Sequence, residues 1–144
     1  MIDHELVTRK MVLITADVNA VEPLAQHPLE DYLANQTDQV LVERYLERII
    51  GRMIDINYHL ITESGLPPPR DYFESFTQLA GIQVLPADFS RKITACTGLR
   101  NRLVHEYEEI DHERVYEGLQ AAMRDVPEYL RHVQRYVNED AAAT

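Results

Sequence analysis

Residues 99–107 read Leu-Arg-Asn-Arg-Leu-Val-His-Glu-Tyr, which places two arginines, an amide, an imidazole and a phenol near the end of a predicted helix. Around this stretch apolar residues recur at steps of three and four, as on one face of a helix: Phe89, Ile93, Cys96, Leu99 and Leu103. Arg100 and Tyr107 are about two helical turns apart and fall on the same face. An arginine on a core-facing stripe is unfavourable unless it is paired or faces a cavity or an interface.

His105 follows Arg100 by five residues, which is about 140° around an ideal helix. The two side chains therefore do not share one face of one regular helix. Either the helix loosens near its end, or Arg100 and His105 converge from two copies of the chain across an interface. We favour the second alternative, a homodimer.

The pair of side chains suits RNA cleavage without a metal ion. Histidine is the side chain best suited to proton transfer at neutral pH, and arginine offers a planar, permanently charged fork that matches phosphate oxygens. We expect His105 to take the proton from a ribose 2′-hydroxyl as it attacks the neighbouring phosphorus. Arg100 would stabilise the charge on that phosphate. A requirement for the 2′-hydroxyl predicts RNA rather than DNA as the substrate.

A purely structural interpretation competes with this hypothesis. An arginine near a helix end commonly binds the last carbonyls or pairs with a carboxylate. Four acidic residues follow the stretch closely, and any of them could take this role: Glu106, Glu108, Glu109 and Asp111.

The string Arg100-x4-His105-x-Tyr107, with Asn101 after the arginine, resembles the signature of the HEPN family and in particular of HepT-like toxins. The surrounding helical pattern extends the resemblance over most of the chain. It implies an all-α, HEPN-type up-and-down helical bundle. It also implies a metal-independent endoribonuclease toxin of a type VII-like toxin–antitoxin system, with Arg100 and His105 as catalytic residues, tRNA or mRNA as substrate and no cofactor.

The same resemblance gives Tyr107 a separate role. HepT-like toxins are usually encoded beside a minimal nucleotidyltransferase antitoxin, MntA-like, which adenylylates the motif tyrosine. An AMP group on Tyr107 would place a phosphate beside Arg100 and His105 and exclude RNA. Alternatively, Tyr107 is an interfacial aromatic residue. A second function also stays open, a non-catalytic HEPN subunit that binds nucleotide or docks a nucleotidyltransferase.

Other polar residues are candidates for auxiliary roles. Asn101 and Arg102 belong to the motif, and Arg102 could guide a phosphate or pair with Glu106. Asn57 either lines the RNA cleft or forms hydrogen bonds at a helix interface. Its neighbours Asp55 and His59 are four residues apart and could touch one metal ion, but the sequence offers no third ligand at helical spacing, so we predict no metal site. We expect Asp55 to pair with a basic residue, and Arg100 is a candidate.

The composition predicts one domain with a proper core, because the chain has 144 residues of which 45% are hydrophobic. The net charge of −10 argues against a broad nucleic-acid surface. However, the segment 91–102 carries four basic residues and no acidic one, which fits a confined phosphate site: Arg91, Lys92, Arg100 and Arg102. The single cysteine, Cys96, excludes an internal disulfide and predicts a buried thiol. Without a leader peptide or a long apolar run, we expect a cytoplasmic protein that does not enter a membrane.

The hydrophobic periodicity predicts four long helices and a short one. The long helices cover 1–26, 29–64, a segment from Pro86 through the motif, and 111–137, and the short helix covers 71–80. The predicted inner faces include Val42, Leu46, Ile49, Met53, Ile56 and Leu60 of the second helix, and Tyr72, Phe76 and Leu79 of the short helix. We therefore expect a helical bundle over 1–138 and a flexible tail over 139–144. Gly98 would allow a second helix to approach the motif closely.

Overall fold

The structure is a computed structural model that describes residues 1–105 and 109–143, and all regular secondary structure over those residues is α-helix. The helices are α1 (His4–Ala25), α2 (Leu29–Leu33), α3 (Gln36–Glu63), α4 (Tyr72–Gly81), α5 (Ala87–Ile93), α6 (Cys96–His105) and α7 (His112–Ala143). The predicted all-α class is confirmed. None of the helices described is long and apolar enough to cross a membrane.

Helix α3 lies at the centre and contacts α1, α2, α4, α6 and α7. Its predicted apolar stripe is buried throughout, and each of its six residues is at most 1% exposed: Val42, Leu46, Ile49, Met53, Ile56 and Leu60. The inner faces of α1 and α7 close over this stripe through Ile14, Val21, Leu119 and Val133, all of which are fully buried. The helical period of the apolar residues therefore determines which faces meet.

Aspartate and asparagine side chains fix where the helices begin. Asp3, Asn35 and Asp71 accept hydrogen bonds from the backbone N–H three residues later, at 3.0, 3.0 and 2.8 Å. Asp111 does the same for α7 at 3.2 Å, as predicted. The cap at Asn35 corrects the prediction of one helix over 29–64, since it ends α2 and starts α3.

The predicted motif helix is likewise two helices, α5 and α6, which meet at residues 94–95. Hydroxyl groups at this break bind backbone carbonyls: Thr94 donates to Ser90, and Thr97 donates to Thr94 at 2.9 Å. Such side-chain bonds compete with a continuous helix. The break sets α6 as a separate ten-residue segment, and α6 carries the motif from Cys96 to His105.

Helix α7 continues through Pro127 and reaches Ala143, beyond the predicted end at residue 137. His4 of α1 lies 2.9 Å from Asp140, so the end of α7 contacts the start of α1. The flexibility of residues 139–144 as a tail separate from the 1–138 bundle stays a prediction.

Candidate active site

Helix α6 positions the motif by packing on α3 and α7. Leu99 and Leu103 are its buried anchors, only 5% and 7% exposed. A Cβ atom placed on Gly118 of α7 would lie 2.5 Å from Cδ2 of Leu99, so the close approach of α6 and α7 requires the glycine at 118. At Gly98, by contrast, a Cβ would meet only Nη1 of Arg102, at 3.8 Å. The close approach of a second copy at Gly98 stays a prediction.

Arg100 is half-buried and faces the start of α4. Its guanidinium carbon lies 4.7 Å from the centre of the Tyr72 ring, in a cation–π contact. The Nε atom of Arg100 is buried and has no hydrogen-bond partner among the described residues. Tyr72 is 36% exposed, so the prediction that it faces the core is wrong, whereas Phe76 and Leu79 are fully buried as predicted.

Asp55 pairs with a basic residue as expected, but the candidate Arg100 is not that residue. Asp55 pairs with Lys10 of α1 at 3.0 Å instead. His59 accepts a hydrogen bond from the backbone N–H of Asp3 at 2.9 Å, so Asp55 and His59 have different partners. Within residues 1–105 and 109–143, no group of three or more His, Cys, Asp or Glu side chains is arranged to hold a metal ion.

A cleft of about 500 Å³ opens beside Arg100, and we call it the basic cleft. It lies between α1, α3, α4 and α6. Four basic side chains, two acidic ones and two tyrosines contribute to its lining, which comprises Lys10, Glu47, Arg48, Gly51, Arg52, Ile54, Asp55, Tyr58, Tyr72 and Arg100. An arginine on a core-facing stripe was expected to be paired or to face a cavity or an interface, and Arg100 faces a cavity.

The other motif side chains point into different spaces. Asn101 is exposed and lines a second cleft of about 360 Å³ with Tyr58, Tyr72 and Phe73. Arg102 lines a third, mainly apolar cavity of about 430 Å³ between α6 and α7. His105 is exposed at the last residue of α6 and lines none of these three cavities. None of these three cavities is therefore lined by both Arg100 and His105.

Asn57 lies in the core and is 0% exposed. Its side-chain amide donates to Ser75 Oγ at 3.3 Å, and its carbonyl accepts from the Tyr129 hydroxyl at 2.6 Å. Burial raises the pKa of Tyr129 well above its usual value, so the hydroxyl keeps its proton. These bonds join α3, α4 and α7. They support the second interpretation of Asn57, a helix-interface residue, and they place it out of reach of a substrate.

The predicted basic segment 91–102 is partly neutralised by neighbouring acids. Arg91 pairs with Asp88, and Lys92 lies 3.1 Å from Asp125. No described carboxylate pairs with Arg100 or Arg102. The positive charge of the segment is therefore concentrated on the two arginines of the motif.

Cys96 lines the apolar cavity next to Asp125. Burial, followed by the charge of Asp125, raises the pKa of this thiol to about 12. The thiol is therefore protonated near neutral pH and is a poor nucleophile.

Sequence reasoning missed the basic residues of α1 and α3 that line the basic cleft. Asp17 is only 4% exposed, and its carboxylate contacts Arg48 at 3.1 Å and Arg52 at 2.7 Å. A clue was present, because Arg44, Arg48 and Arg52 follow one another at intervals of four and so form a basic line on one helix. Tyr107 and Glu106, for which roles were also predicted, lie outside the described residues.

A family model and two relatives of known name agree on one family. The family described as ribonuclease HepT-like matches residues 14–133. A protein named tRNA nuclease HepT, from Aphanizomenon flos-aquae, is 31% identical over 136 residues, which cover 94% of this chain and 92% of that protein. A protein named mRNA nuclease HepT, from Shewanella oneidensis, is 29% identical over 85 residues, which cover 59% of this chain and 64% of that protein.

Among solved structures, the fold matches a Shewanella oneidensis HEPN toxin described as tri-AMPylated and in complex with an MNT antitoxin. The TM-score is 0.81 at 24% identity, and the match covers 94% of this chain and 99% of that chain. This similarity concerns the helical fold alone. It agrees with the bundle described above, in which α6 presents the motif.

Proposed function

The chain belongs to the HepT-like ribonuclease family, and we propose that Arg100 and His105 are the groups with which it cleaves RNA. In this proposal the enzyme is an endoribonuclease toxin that needs no metal ion. The relatives named above act on tRNA or mRNA, and we propose the same class of substrate for this chain. We place this ribonuclease activity in the cytoplasm, where both RNA and nucleotides are present.

The reaction follows from the two side chains. One His105 imidazole takes the proton of a ribose 2′-hydroxyl, and the 2′-oxygen forms a bond to the adjacent phosphorus. The bond from phosphorus to the 5′-oxygen of the next nucleotide breaks, and that oxygen takes a proton from a second imidazole. Arg100 binds the non-bridging oxygens while negative charge builds up on them. The products are a 2′,3′-cyclic phosphate and a free 5′-hydroxyl.

The observation that best supports the proposal is the environment of the Arg100 side chain. Its guanidinium is half-buried over Tyr72, opens into the basic cleft and has no described carboxylate partner. The competing structural interpretation needs a carboxylate or a backbone carbonyl as the partner of Arg100, and among the described residues neither is seen. Of the four acidic candidates, Glu109 and Asp111 are described and neither pairs with Arg100, while Asp111 contacts Arg114 at 3.8 Å. Glu106 and Glu108 lie outside the described residues.

We extend the proposal to a homodimer, because α6 is helical through His105. A regular helix keeps Arg100 and His105 on different faces, about 140° apart. Loosening of the helix before His105 was the alternative that would have brought them together within one chain. Two copies that meet along α6 would instead place the arginine of one beside the histidine of the other and supply the second imidazole.

We further propose a minimal nucleotidyltransferase as partner and Tyr107 as the tyrosine that it adenylylates. The support comes from the motif, in which Tyr107 follows His105 by two residues, and from the related toxin that is AMPylated and bound to an MNT antitoxin. An added AMP phosphate would compete with RNA for Arg100. In this arrangement the antitoxin switches the nuclease off covalently.

The test is RNA cleavage by the unmodified protein in excess EDTA. We expect Arg100→Ala and His105→Ala each to lower the cleavage rate by roughly 10²- to 10⁴-fold, since each removes a group that acts on the reacting atoms. His27→Ala is the matched control, because His27 is exposed and its imidazole contacts the carboxylate of Asp38 at 3.2 Å, away from the motif. Full activity of His105→Ala, or loss of wild-type activity in EDTA, would contradict the proposal. Inactivity of the wild type would favour the non-catalytic docking subunit.

A further inference from the structure

We propose that the basic cleft is a subsite for the RNA backbone, in which Lys10, Arg48 and Arg52 bind a phosphate next to the one that Arg100 engages. This inference rests on the proposed ribonuclease function and adds a substrate-binding surface on α1 and α3. Those helices lie outside the motif. The ligand chemistry is a phosphodiester of single-stranded RNA.

The charges of the cleft favour an anion. Its two acidic side chains already have basic partners, because Asp55 contacts Lys10 at 3.0 Å and Glu47 contacts Arg44 at 3.3 Å. Arg48 and Arg52 share the single carboxylate of Asp17. Arg100 has no carboxylate partner in the part of the chain that the structure describes. Basic charge therefore exceeds acidic charge here, on a protein whose net charge is −10.

The arginines are held in place before any ligand binds. Asp17 contacts Arg48 through Oδ1 and Arg52 through Oδ2, and its own side chain is only 6% exposed. The side chains of Arg52 and Lys10 are 21% and 29% exposed, so they are partly immobilised along the wall of the cleft. Ordering these long side chains in advance lowers the entropy lost on binding. Each guanidinium also keeps N–H groups that do not contact Asp17 and can donate to phosphate.

The cleft is continuous with the proposed catalytic group. Arg100 and Tyr72 form one of its walls, and its volume of about 500 Å³ is within the range of small-ligand sites. A strand whose scissile phosphate contacts Arg100 could therefore place an adjacent phosphate against α3. Tyr72 separates this cleft from the one lined by Asn101.

Gly51 offers a way to test the cleft without touching its basic residues. It lies in α3 on the lining, and a Cβ atom there would meet nothing within 4 Å. Gly51→Glu, Gly51→Gln and Gly51→Lys therefore introduce negative, neutral and positive side chains of similar length into open space. Each also replaces a helix-interior glycine with a better helix former, so we expect all three variants to fold.

The experiment measures binding of a fluorescein-labelled single-stranded RNA of mixed sequence, with the His105→Ala substitution in every protein to prevent cleavage. We expect affinity to fall in the order Lys, Gln, Glu at position 51. The Glu and Lys variants should differ by about tenfold or more at low salt, and the difference should shrink as salt is raised. Equal affinities across the series, or a difference that salt does not change, would overturn the proposal.

The two proposals can fail separately. If the Gly51 series binds RNA equally while His105→Ala abolishes cleavage, the cleft is not a subsite and the catalytic assignment stands. If the RNA affinity of the Gly51 variants follows the charge at position 51 but His105→Ala cleaves RNA normally, the catalytic assignment fails. The cleft is then retained as an RNA-binding surface. Competition by AMP at the same concentration range as the RNA would assign the cleft to a free nucleotide and overturn the strand proposal.

Discussion

At the scale of single residues, the carboxylate of Asp17 is the least exposed charged group beside the site. It lies between Arg48 and Arg52, at 3.1 and 2.7 Å, and its side chain is 6% exposed. A buried carboxylate requires partners because its desolvation is otherwise uncompensated. The same contacts hold the arginines along the basic cleft, so stability and the shape of the site depend on one residue.

Asp17→Asn is expected to lower the free energy of unfolding by about 1–3 kcal/mol, because the buried carboxylate loses its charge in two partly exposed ion pairs. Urea denaturation monitored by circular dichroism measures the change. Asp55→Asn is the matched control. Asp55 is 58% exposed and pairs with Lys10 alone, so its substitution should cost less than about 1 kcal/mol. Equal losses in the two variants would show that Asp17 does not have this special role.

The environment of a single residue could be predicted from the sequence where it depended only on spacing within one helix. The position of Arg100 on an inner stripe predicted a paired side chain, a cavity or an interface, and the structure has a cleft there. The partner of Asp55 could not be predicted, because Lys10 comes from α1 and only the tertiary packing brings it near. Asn57 was ambiguous for the same reason, since Ser75 and Tyr129 belong to two other helices.

At the scale of helices, the contact between Leu99 and Gly118 sets how closely α6 approaches α7. A Cβ on Gly118 would lie 2.5 Å from Cδ2 and 3.5 Å from Cγ of Leu99, and Leu99 is buried. The distance to Cδ2 is too short for two carbon atoms, so the side chain of Leu99 or the helix that carries it must move. Because α6 carries both Arg100 and His105, a shift at this contact is transmitted to the proposed catalytic groups.

Gly118→Ala is expected to destabilise the protein by about 1–2 kcal/mol and to lower the cleavage rate, despite the better helix propensity of alanine. Gly51→Ala is the control, since its Cβ meets nothing within 4 Å and the substitution should stabilise by up to about 1 kcal/mol. Thermal unfolding and RNA cleavage are measured for both. A gain in stability in Gly118→Ala equal to that in Gly51→Ala would contradict this account of α6.

The apolar stripe of α3 was predictable because burial follows helical period directly. The two breaks in the predicted helices were not, since apolar spacing continues across them. One break depends on the Asn35 side chain binding the N–H of Asp38, and the other on Thr94 and Thr97 binding backbone carbonyls. Such local side-chain bonds are weakly visible in a sequence. The second break matters for function, because it sets α6 apart from α5.

At the scale of the whole molecule, a net charge of −10 is compatible with RNA cleavage only if the positive groups are concentrated. The basic cleft and Arg100 provide that concentration on one side of α6. The acidic remainder would disfavour non-specific RNA binding. However, Arg100 faces the cleft while His105 lines none of the three cavities described above, so the two proposed catalytic groups do not meet in any of those cavities.

The most direct measurement mixes two inactive variants and assays RNA cleavage in excess EDTA. Arg100→Ala and His105→Ala are unfolded together, refolded at equal amounts and compared with each variant alone. A site built from the arginine of one copy and the histidine of another predicts cleavage well above that of either variant alone. The recovered activity should stay below about a quarter of the wild-type value, because only half of the randomly formed dimers carry one intact pair and each of these lacks the second imidazole. A mixture as inactive as its components, from a protein that is dimeric in solution, would contradict the claim that Arg100 and His105 act together across two chains.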